Sequence, residues 1–442
     1  MNIKQRGFDS RILMIVLAIV ATVVGRVFSP NVFIFAIAFF IIAMLMGNDF
    51  ENFELGLMLV PCIRIYDTIG VSFIVNILLF VPILVSIFRN KRINKEAFLH
   101  TVILCVIETI HCITLNNMGN LFSNLSAIIP LYFCEVLIRK EEKLDSINIF
   151  RWLTFGILLS ASIYLIISSS ESHNILYFIN KGVRFEAYAS DPNYYSMYIC
   201  IAVASFFISR SVKWFDIVML LGDLLLGLIT SSKMSLIVLV FIVVVNGIRQ
   251  LSGLDRKRRN VFRVIFGIIV AIVIFNYQLV FKIYNNIISR MLDSSQSYNL
   301  AKLTTGRSTL FYGYLWQLVS NPLALLWGYG FQYVKYIGVS AGAHKANNVS
   351  HNTFLDIFLS WGVIGAAIFI YIIYRMIKKG FAPGMHYTFF DMIPLISCII
   401  CLFSLSCLSA GMFWYVVAAV FLTVKYAGKK KEEPVSLMTL EN

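Results

Sequence analysis

Apolar runs close to the length that crosses a bilayer recur from one end of this chain to the other, and they decide what it can fold into. An α-helix needs about 20 predominantly apolar residues to span the hydrocarbon core. Such runs lie at 11–28, 31–47, 52–65, 71–88, 97–115, 121–138, 150–169, 193–209, 215–231, 234–249, 261–281, 353–374, 388–407 and 411–425. The third is short and contains Pro61 and Arg64, so it could turn back before crossing. Hydrophobic residues make up 59% of the chain and charged residues 14%, which excludes an ordinary soluble globular protein. Ten-residue segments of alternating hydrophobicity are absent, which excludes a membrane β-barrel. The expected fold is an all-α polytopic membrane protein of about 12–14 transmembrane helices, with one long extracytoplasmic loop that contains short helices.

The formal charge of +14 would suggest nucleic acid in a soluble protein. Here much of it sits in short loops between apolar runs, which is the bias of cytoplasmic loops, and no nucleic-acid partner is expected. Arg89-Asn-Lys-Arg, Arg139-Lys140, Arg210 with Lys213, Arg256-Lys-Arg-Arg, Arg375 with Lys378-Lys379, and Lys429-Lys-Lys all fall on one side when the chain is threaded. That side is assigned to the cytoplasm together with both termini. The basic start (Lys4, Arg6, Arg11) and the run Ile12 to Phe28 read as a retained first span, because no A-x-A-like cleavage site follows. Eight cysteines lie in apolar surroundings without a disulfide-framework spacing. Cys398 and Cys401 form a CxxC inside an apolar run and read as buried small hydrophobes.

This threading divides the chain into a helix bundle at 1–281, an extracytoplasmic loop at 282–352, C-terminal spans at 353–428 and a cytoplasmic tail at 429–442. The long loop is polar, aromatic and basic. It carries Lys282, Arg290, Lys302, Arg307, Lys335 and Lys345 against the single acid Asp293. Basic residues are scarce outside the membrane, so a cluster there points to an anionic ligand. No internal repeat of the kind that builds many transporters is visible.

Several external residues are candidates for chemistry. The earlier loop, Lys181-Gly-Val-Arg184-Phe-Glu186-Ala-Tyr-Ala-Ser-Asp191-Pro-Asn193, brings Lys181 and Arg184 beside a span. A guanidinium there can grip phosphate in bidentate fashion or lie among lipid headgroups. Asp191-Pro192 reads as the start of a helix. Lys233, after Ser231-Ser232, either snorkels to the interface or faces a polar cavity. Gly306-Arg307-Ser308-Thr309 opens an amphipathic stretch with Leu310, Phe311, Tyr314, Leu315 and Leu318 at helical spacing, stopped by Asn321-Pro322. Ser308 or Thr309 is expected to cap it, leaving Arg307 beside free amides suited to phosphate oxygens; the alternative is an interfacial helix on the lipid. Gly328-Tyr329-Gly330-Phe331 offers an aromatic turn that stacks on a sugar ring or packs within the fold. His344 and His351 are the histidines of the loop, and His351-Asn352 stands directly before the next span. Imidazole suits proton transfer near neutral pH, whereas Ser350, Asn352 and Thr353 are also good helix caps. Asp356 lies one turn on and could orient a neighbour. The chain has no HExxH-type metal spacing and few external carboxylates, so neither a metal site nor a two-acid glycosidase is expected.

These residues resemble the O-antigen ligase and O-antigen/capsule polymerase superfamily. The resemblance rests on many spans, a late loop with Gly306-Arg307-Ser308, and His351-Asn352-Thr-Phe-Leu355 entering a helix with Trp361-Gly362, ten residues separating the histidine from the glycine. Arg184 and the Pro192-Asn193 pair resemble the arginine and Pro-Asn element of the family's earlier loop. Ser232-Lys233 resembles a Ser-Arg element, with lysine in place of arginine. The similarity covers mainly Lys181 to the end of the helix after His351. It implies an inverting, metal-independent and cofactor-free glycosyltransferase in the bacterial inner membrane, active on the outer face. The donor would be an undecaprenyl-diphosphate-linked glycan and the acceptor a second glycan. His351, Arg307 and Arg184 would be the catalytic set, and Lys233, Lys181, Asn352 and Tyr329 would bind substrate. Membrane lipid and a chain-length regulator are further expected partners. A repeat-unit polymerase is favoured; a ligase acting on lipid A–core is the alternative, and a lipid-linked oligosaccharide flippase is the third reading. A flippase would need essential charges deep in helices. Arg26 and Glu108 are expected to reach an interface instead.

Overall fold

The computed structural model describes residues 10–69, 72–90, 93–169, 183–189, 191–209, 211–230, 232–251, 307–341, 349–381, 385–410 and 412–430, with a few single positions between 175 and 285. The expected span 261–281 and the expected site residue Lys181 lie outside these, as do Lys282, Arg290, Asp293, Lys302, His344 and Lys345.

The helices are α1 (Ser10–Val27), α2 (Phe33–Met46), α3 (Asp49–Leu59), α4 (Ser72–Asn90), α5 (Lys95–Thr114), α6 (Leu121–Ile128), α7 (Pro130–Arg139) and α8 (Ser146–Ser169). After the external loop come α9 (Pro192–Ile208), α10 (Trp214–Ile229) and α11 (Lys233–Leu251). The late loop contributes α12 (Arg307–Val319), α13 (Pro322–Trp327) and α14 (Tyr333–Ile337), followed by α15 (Thr353–Gly380), α16 (Ile393–Leu402) and α17 (Met412–Ala427). One antiparallel pair, Met385–His386 with Lys429–Lys430, is the only strand pairing among the described residues. The protein is an all-α polytopic membrane protein. Ser10–Val27, Lys95–Thr114, Met118–Arg139, Ser146–Ser169 and Thr353–Gly380 are long and apolar enough to cross a bilayer, and six shorter apolar helices accompany them among the described residues.

Polar caps set the boundaries. Asn48 accepts from the Glu51 amide at 3.0 Å while the Glu51 carboxylate accepts from the Asn48 amide at 2.7 Å, a reciprocal cap that starts α3. Pro130, Pro192 and Pro322 each begin a helix, where their missing N–H costs nothing. One expected span is broken: the run 52–65 ends as an α-helix at Leu59 and tightens into a 3-10 stretch, Val60–Ile69, because Pro61 cannot donate to the preceding turn. The run 121–138 is interrupted in its hydrogen bonding at Pro130 but keeps helical backbone at Ile129, and it lies within the single span Met118–Arg139.

Helix α9 is the centre of the bundle. It packs on α8, α10, α11, α16 and α17, and it is buried on every side. Helix α17 is buried likewise. Large apolar side chains instead face outward at the perimeter: Val16 and Val20 on α1, Ile34 and Phe35 on α2, Phe98 and Val106 on α5. An apolar exterior of this extent suits lipid and not water. Cations gather at one end, where the Glu96 carboxylate accepts from Arg139 at 2.8 Å and from Lys379, and forms an ion pair with Arg375 at 2.6 Å. Helix α15 has Asn352 at its head and Lys378 and Lys379 in its last turn, so that ionic cluster and His351 lie at opposite ends of the bundle.

Candidate functional site

The site is organised around the break in α15. Gly362 sits within this helix at φ +60 and ψ −167, a conformation nearly reserved for glycine. The break leaves the carbonyls of Leu359 and Ser360 without helical partners, and the strap between α13 and α14 takes them. Tyr329 N–H donates to Leu359 O at 2.7 Å and Gly330 N–H donates to Ser360 O at 2.8 Å. A Cβ on Gly362 would overlap the Leu326 carbonyl and the Trp327 nitrogen, and one on Gly328 would overlap the Ser360 carbonyl. The His351–Gly362 spacing therefore ties a histidine at the head of the helix to a docking notch about three turns below.

Helix α5 clamps the strap from behind. The Glu108 carboxylate accepts from Phe331 N–H at 3.1 Å, from the Trp361 indole N–H at 3.1 Å and from Asn124 Nδ2 at 2.7 Å. His111 Nε2 lies 3.0 Å from Trp327 O. Glu108 is fully buried, so the expectation that it reaches an interface is wrong: Asn124, the strap and Trp361 supply the donors that water would have supplied. Arg26, by contrast, does reach the end of its helix, where its Nε donates to the Tyr188 hydroxyl at 3.0 Å and its guanidinium lies over that ring.

Above the notch, the chain before α15 is fixed from two directions. Asp356 accepts from Tyr333 Oη and from Ser350 Oγ, each at 2.6 Å, and Ser350 N–H donates to Tyr333 Oη at 3.1 Å. This lock presents His351 in the left-handed region at φ +54, a strained position for a side chain other than glycine. Asn352 caps α15, accepting from Leu355 N–H at 3.0 Å. Ser308 and Thr309, expected as caps, lie inside α12, which is described from Arg307 onward. The stripe expected on that helix is observed, with Tyr314 and Leu318 buried and Leu310, Phe311 and Leu315 packed on them.

A five-residue turn that ends the apolar run 388–407 gathers these pieces. The run leaves its helix at Leu402, and the backbone from Phe403 to Cys407 then acts as a platform. Arg307 Nη1 donates to Ser404 O at 3.2 Å, Asn352 Nδ2 to Phe403 O at 3.4 Å, Thr353 Oγ1 to Leu405 O at 2.6 Å, and Tyr194 Oη to Ser406 O. The starts of α9, α12 and α15 thus meet on one turn.

At the start of α9, Asp191 is the N-cap and accepts from Asn193 N–H at 2.6 Å. The Asn193 carbonyl oxygen accepts from Arg184 Nη2 at 2.7 Å and from Ser232 Oγ at 2.9 Å, which links the Arg-Phe-Glu loop, the Pro-Asn pair and the Ser-Lys element. Asn193 is buried, and its Nδ2 has no hydrogen-bond partner. Lys233 follows Ser232 at the head of α11 and is half-buried. Tyr329 is held in the strap, its hydroxyl accepting from Asn321 Nδ2 at 3.3 Å.

The charges interact across these segments. Burial lowers the pKa of His351, Arg307 adds to the lowering, and Asp191 opposes it. Burial likewise lowers that of Arg307, again opposed by Asp191. Burial raises that of Glu186, with Asp191 adding to the rise and Arg64 and Arg184 opposing it. His351 is accordingly biased toward neutral imidazole, the form that can accept a proton. Arginine is the side chain best shaped to hold a phosphate oxygen pair. A neutral imidazole beside half-buried guanidinium groups can take a proton from a hydroxyl while an anion is held nearby.

Residues 217–370 match the O-antigen ligase family model. The resemblance read from the sequence therefore holds over that stretch, and it extends to the wider O-antigen ligase and polymerase superfamily. The O-antigen ligase-like segment includes Lys233, Arg307, Tyr329, His351, Asn352 and the Gly362 break; Arg184 and Asp191 precede it. Neither the curated proteins nor the solved structures give a match. Arg184, Arg307, His351 and Asn352 of the expected set are brought to the platform or to the α9 start that rests on it. Two contributors were missed: the turn 403–407, and Asp191, which read only as a cap. A carboxylate was rare enough among the external residues to have singled Asp191 out.

Proposed function

We propose that the chain is an extracytoplasmic glycosyltransferase that joins undecaprenyl-diphosphate-linked repeat units into O-antigen or capsule polysaccharide. The observation that carries this reading is the meeting of Arg307, His351 and the Arg184–Asn193 pair around one turn. In the reaction the acceptor hydroxyl oxygen bonds to C1 of the donor sugar. The C1–O bond to phosphate breaks with its electron pair on the diphosphate, and the hydroxyl proton passes to His351. Arg307 and Arg184 hold the diphosphate and offset the charge it gains, which is where fixed donors accelerate a reaction most. Direct displacement inverts the anomeric carbon and needs no covalent intermediate, and the absence of HExxH-type spacing agrees with a metal-independent route. The cationic opposite end of the bundle supports a cytoplasmic assignment for that end.

A ligase reading is favoured by the description of the matching family. Both are tested by the glycan profile of a deletion strain complemented with wild type, Arg184→Ala, Arg307→Ala or His351→Ala at equal membrane abundance. A polymerase leaves single repeat units in the mutants. A ligase leaves long polymer on undecaprenyl diphosphate and none on lipid A. A wild-type profile in all three mutants refutes the site.

A further inference from the structure

The proposed mechanism leaves one external carboxylate unused. Asp191 stands at the N-cap of α9, and the next turn of that helix, through Tyr194, is bound to the platform that also holds Arg307 and the His351 segment. We infer that Asp191 is a positioning residue for His351, supplying the negative charge that stabilises the imidazolium formed when the histidine takes the acceptor proton. This inference rests on His351 being the base.

The charged surroundings support it. The segments that carry Asp191, His351 and Arg307 converge on the same turn: Tyr194 Oη donates to Ser406 O, Ser350 Oγ lies 3.4 Å from Ser406 Oγ, and Arg307 Nη1 donates to Ser404 O at 3.2 Å. In that setting Arg307 lowers the His351 pKa and Asp191 raises it. Asp356, on the helix that His351 precedes, is engaged by Tyr333 and Ser350. Arg307 alone would make protonation of the imidazole unfavourable, because a like charge nearby disfavours the charged form. A base that must become a cation during the reaction needs a counter-charge at that moment, and Asp191 acts on both His351 and Arg307. The aspartate is itself held by Asn193 N–H at 2.6 Å, and Asn193 is held by Arg184 and Ser232. Turning its carboxylate away would break the bond from Asn193 N–H. The reaction balances as before: the proton leaves the acceptor oxygen for His351 and is then lost to water.

The test is Asp191→Asn, which keeps a cap of equal strength and removes only the charge; Asp191→Ser provides a second uncharged cap. The protein is reconstituted in nanodiscs with lipid-linked oligosaccharide extracted from a strain lacking this chain, and kcat and KM are measured against pH. His351 must be neutral to act, so activity falls on the acid side as the imidazole protonates. Removing Asp191 lets Arg307 dominate, and the acid limb moves to lower pH. We expect that shift in both variants, with kcat reduced roughly 10- to 100-fold and KM little changed. An acid limb that stays in place, at any kcat, overturns the inference and leaves Asp191 as a cap. His351→Ala run in the same assay separates the two levels: an active His351→Ala protein removes the base itself, and the inference with it.

Discussion

Substituting Gly362 by alanine tests the break in α15 directly. At φ +60 and ψ −167 a Cβ is strained, at a cost of about 1–3 kcal/mol. The same Cβ overlaps the Leu326 carbonyl and the Trp327 nitrogen, so the strap must move away. Moving it releases the bonds from Tyr329 N–H to Leu359 O and from Gly330 N–H to Ser360 O. Each lost bond contributes about 1 kcal/mol, or more where a buried group is left unpaired. The combined destabilisation is roughly 3–6 kcal/mol. It is read as a lower temperature of aggregation for a fluorescent fusion heated in detergent and sized by chromatography. Gly119→Ala is the control, since a Cβ there has no neighbour within 4 Å. Gly328, at φ +87 and against Ser360, presses on the same contact from the other side. Gly328→Ala should therefore be comparably damaging, and the double variant less than additive, because either one alone frees the strap. A Gly362→Ala protein that melts with the wild type, or a strictly additive double variant, refutes the argument.

Glu108→Ala strands the N–H groups of Phe331, Trp361 and Asn124, and a loss of about 3–5 kcal/mol is expected in the same melting assay, with a smaller loss for Glu108→Gln. Asn193→Ala removes the hydrogen bond from Arg184 Nη2 and should raise KM for the lipid-linked donor roughly tenfold with a smaller change in kcat, since the guanidinium loses one of the contacts that set its direction. Arg307→Gln removes the charge that lowers the His351 pKa, so the acid limb of the residual activity moves to higher pH, opposite to the Asp191 variants. Asp356→Ala unlocks Ser350 and Tyr333 and should lower kcat at least about tenfold by letting His351 leave its strained backbone position, measured beside membrane abundance.

Most helices were legible because lipid makes a simple demand on a sequence. The runs 11–28, 97–115 and 411–425 correspond to α1, α5 and α17 within a residue or two. The misreadings share a cause: hydropathy reports composition and not direction. Phe403, Leu405 and Cys407 carry the apolar pattern on past two serines, so the run 388–407 read as one span although the chain turns at Leu402. The stripe on α12 was visible from its period. At the site, His351, Arg307 and Arg184 could be chosen by residue type and position outside the spans. That Asp191 acts on His351 could not be read, because 160 positions of chain separate them and only the folded bundle brings them together. Glu108 misled for a similar reason, its partners being a strap and an indole more than 200 residues away.

The turn from Phe403 to Cys407 gathers the three helix starts through carbonyl oxygens, which every amino acid possesses. The four acceptors are thus set by the path of the chain and not by its letters. Replacing Phe403, Ser404, Leu405 or Ser406 one at a time by alanine would leave them in place and report other contacts instead: Leu405 is buried in the core, the Phe403 ring packs on Phe354 at 4.7 Å, and Ser406 Oγ lies 3.4 Å from Ser350 Oγ. Shortening or lengthening the turn by one residue would shift every acceptor at once.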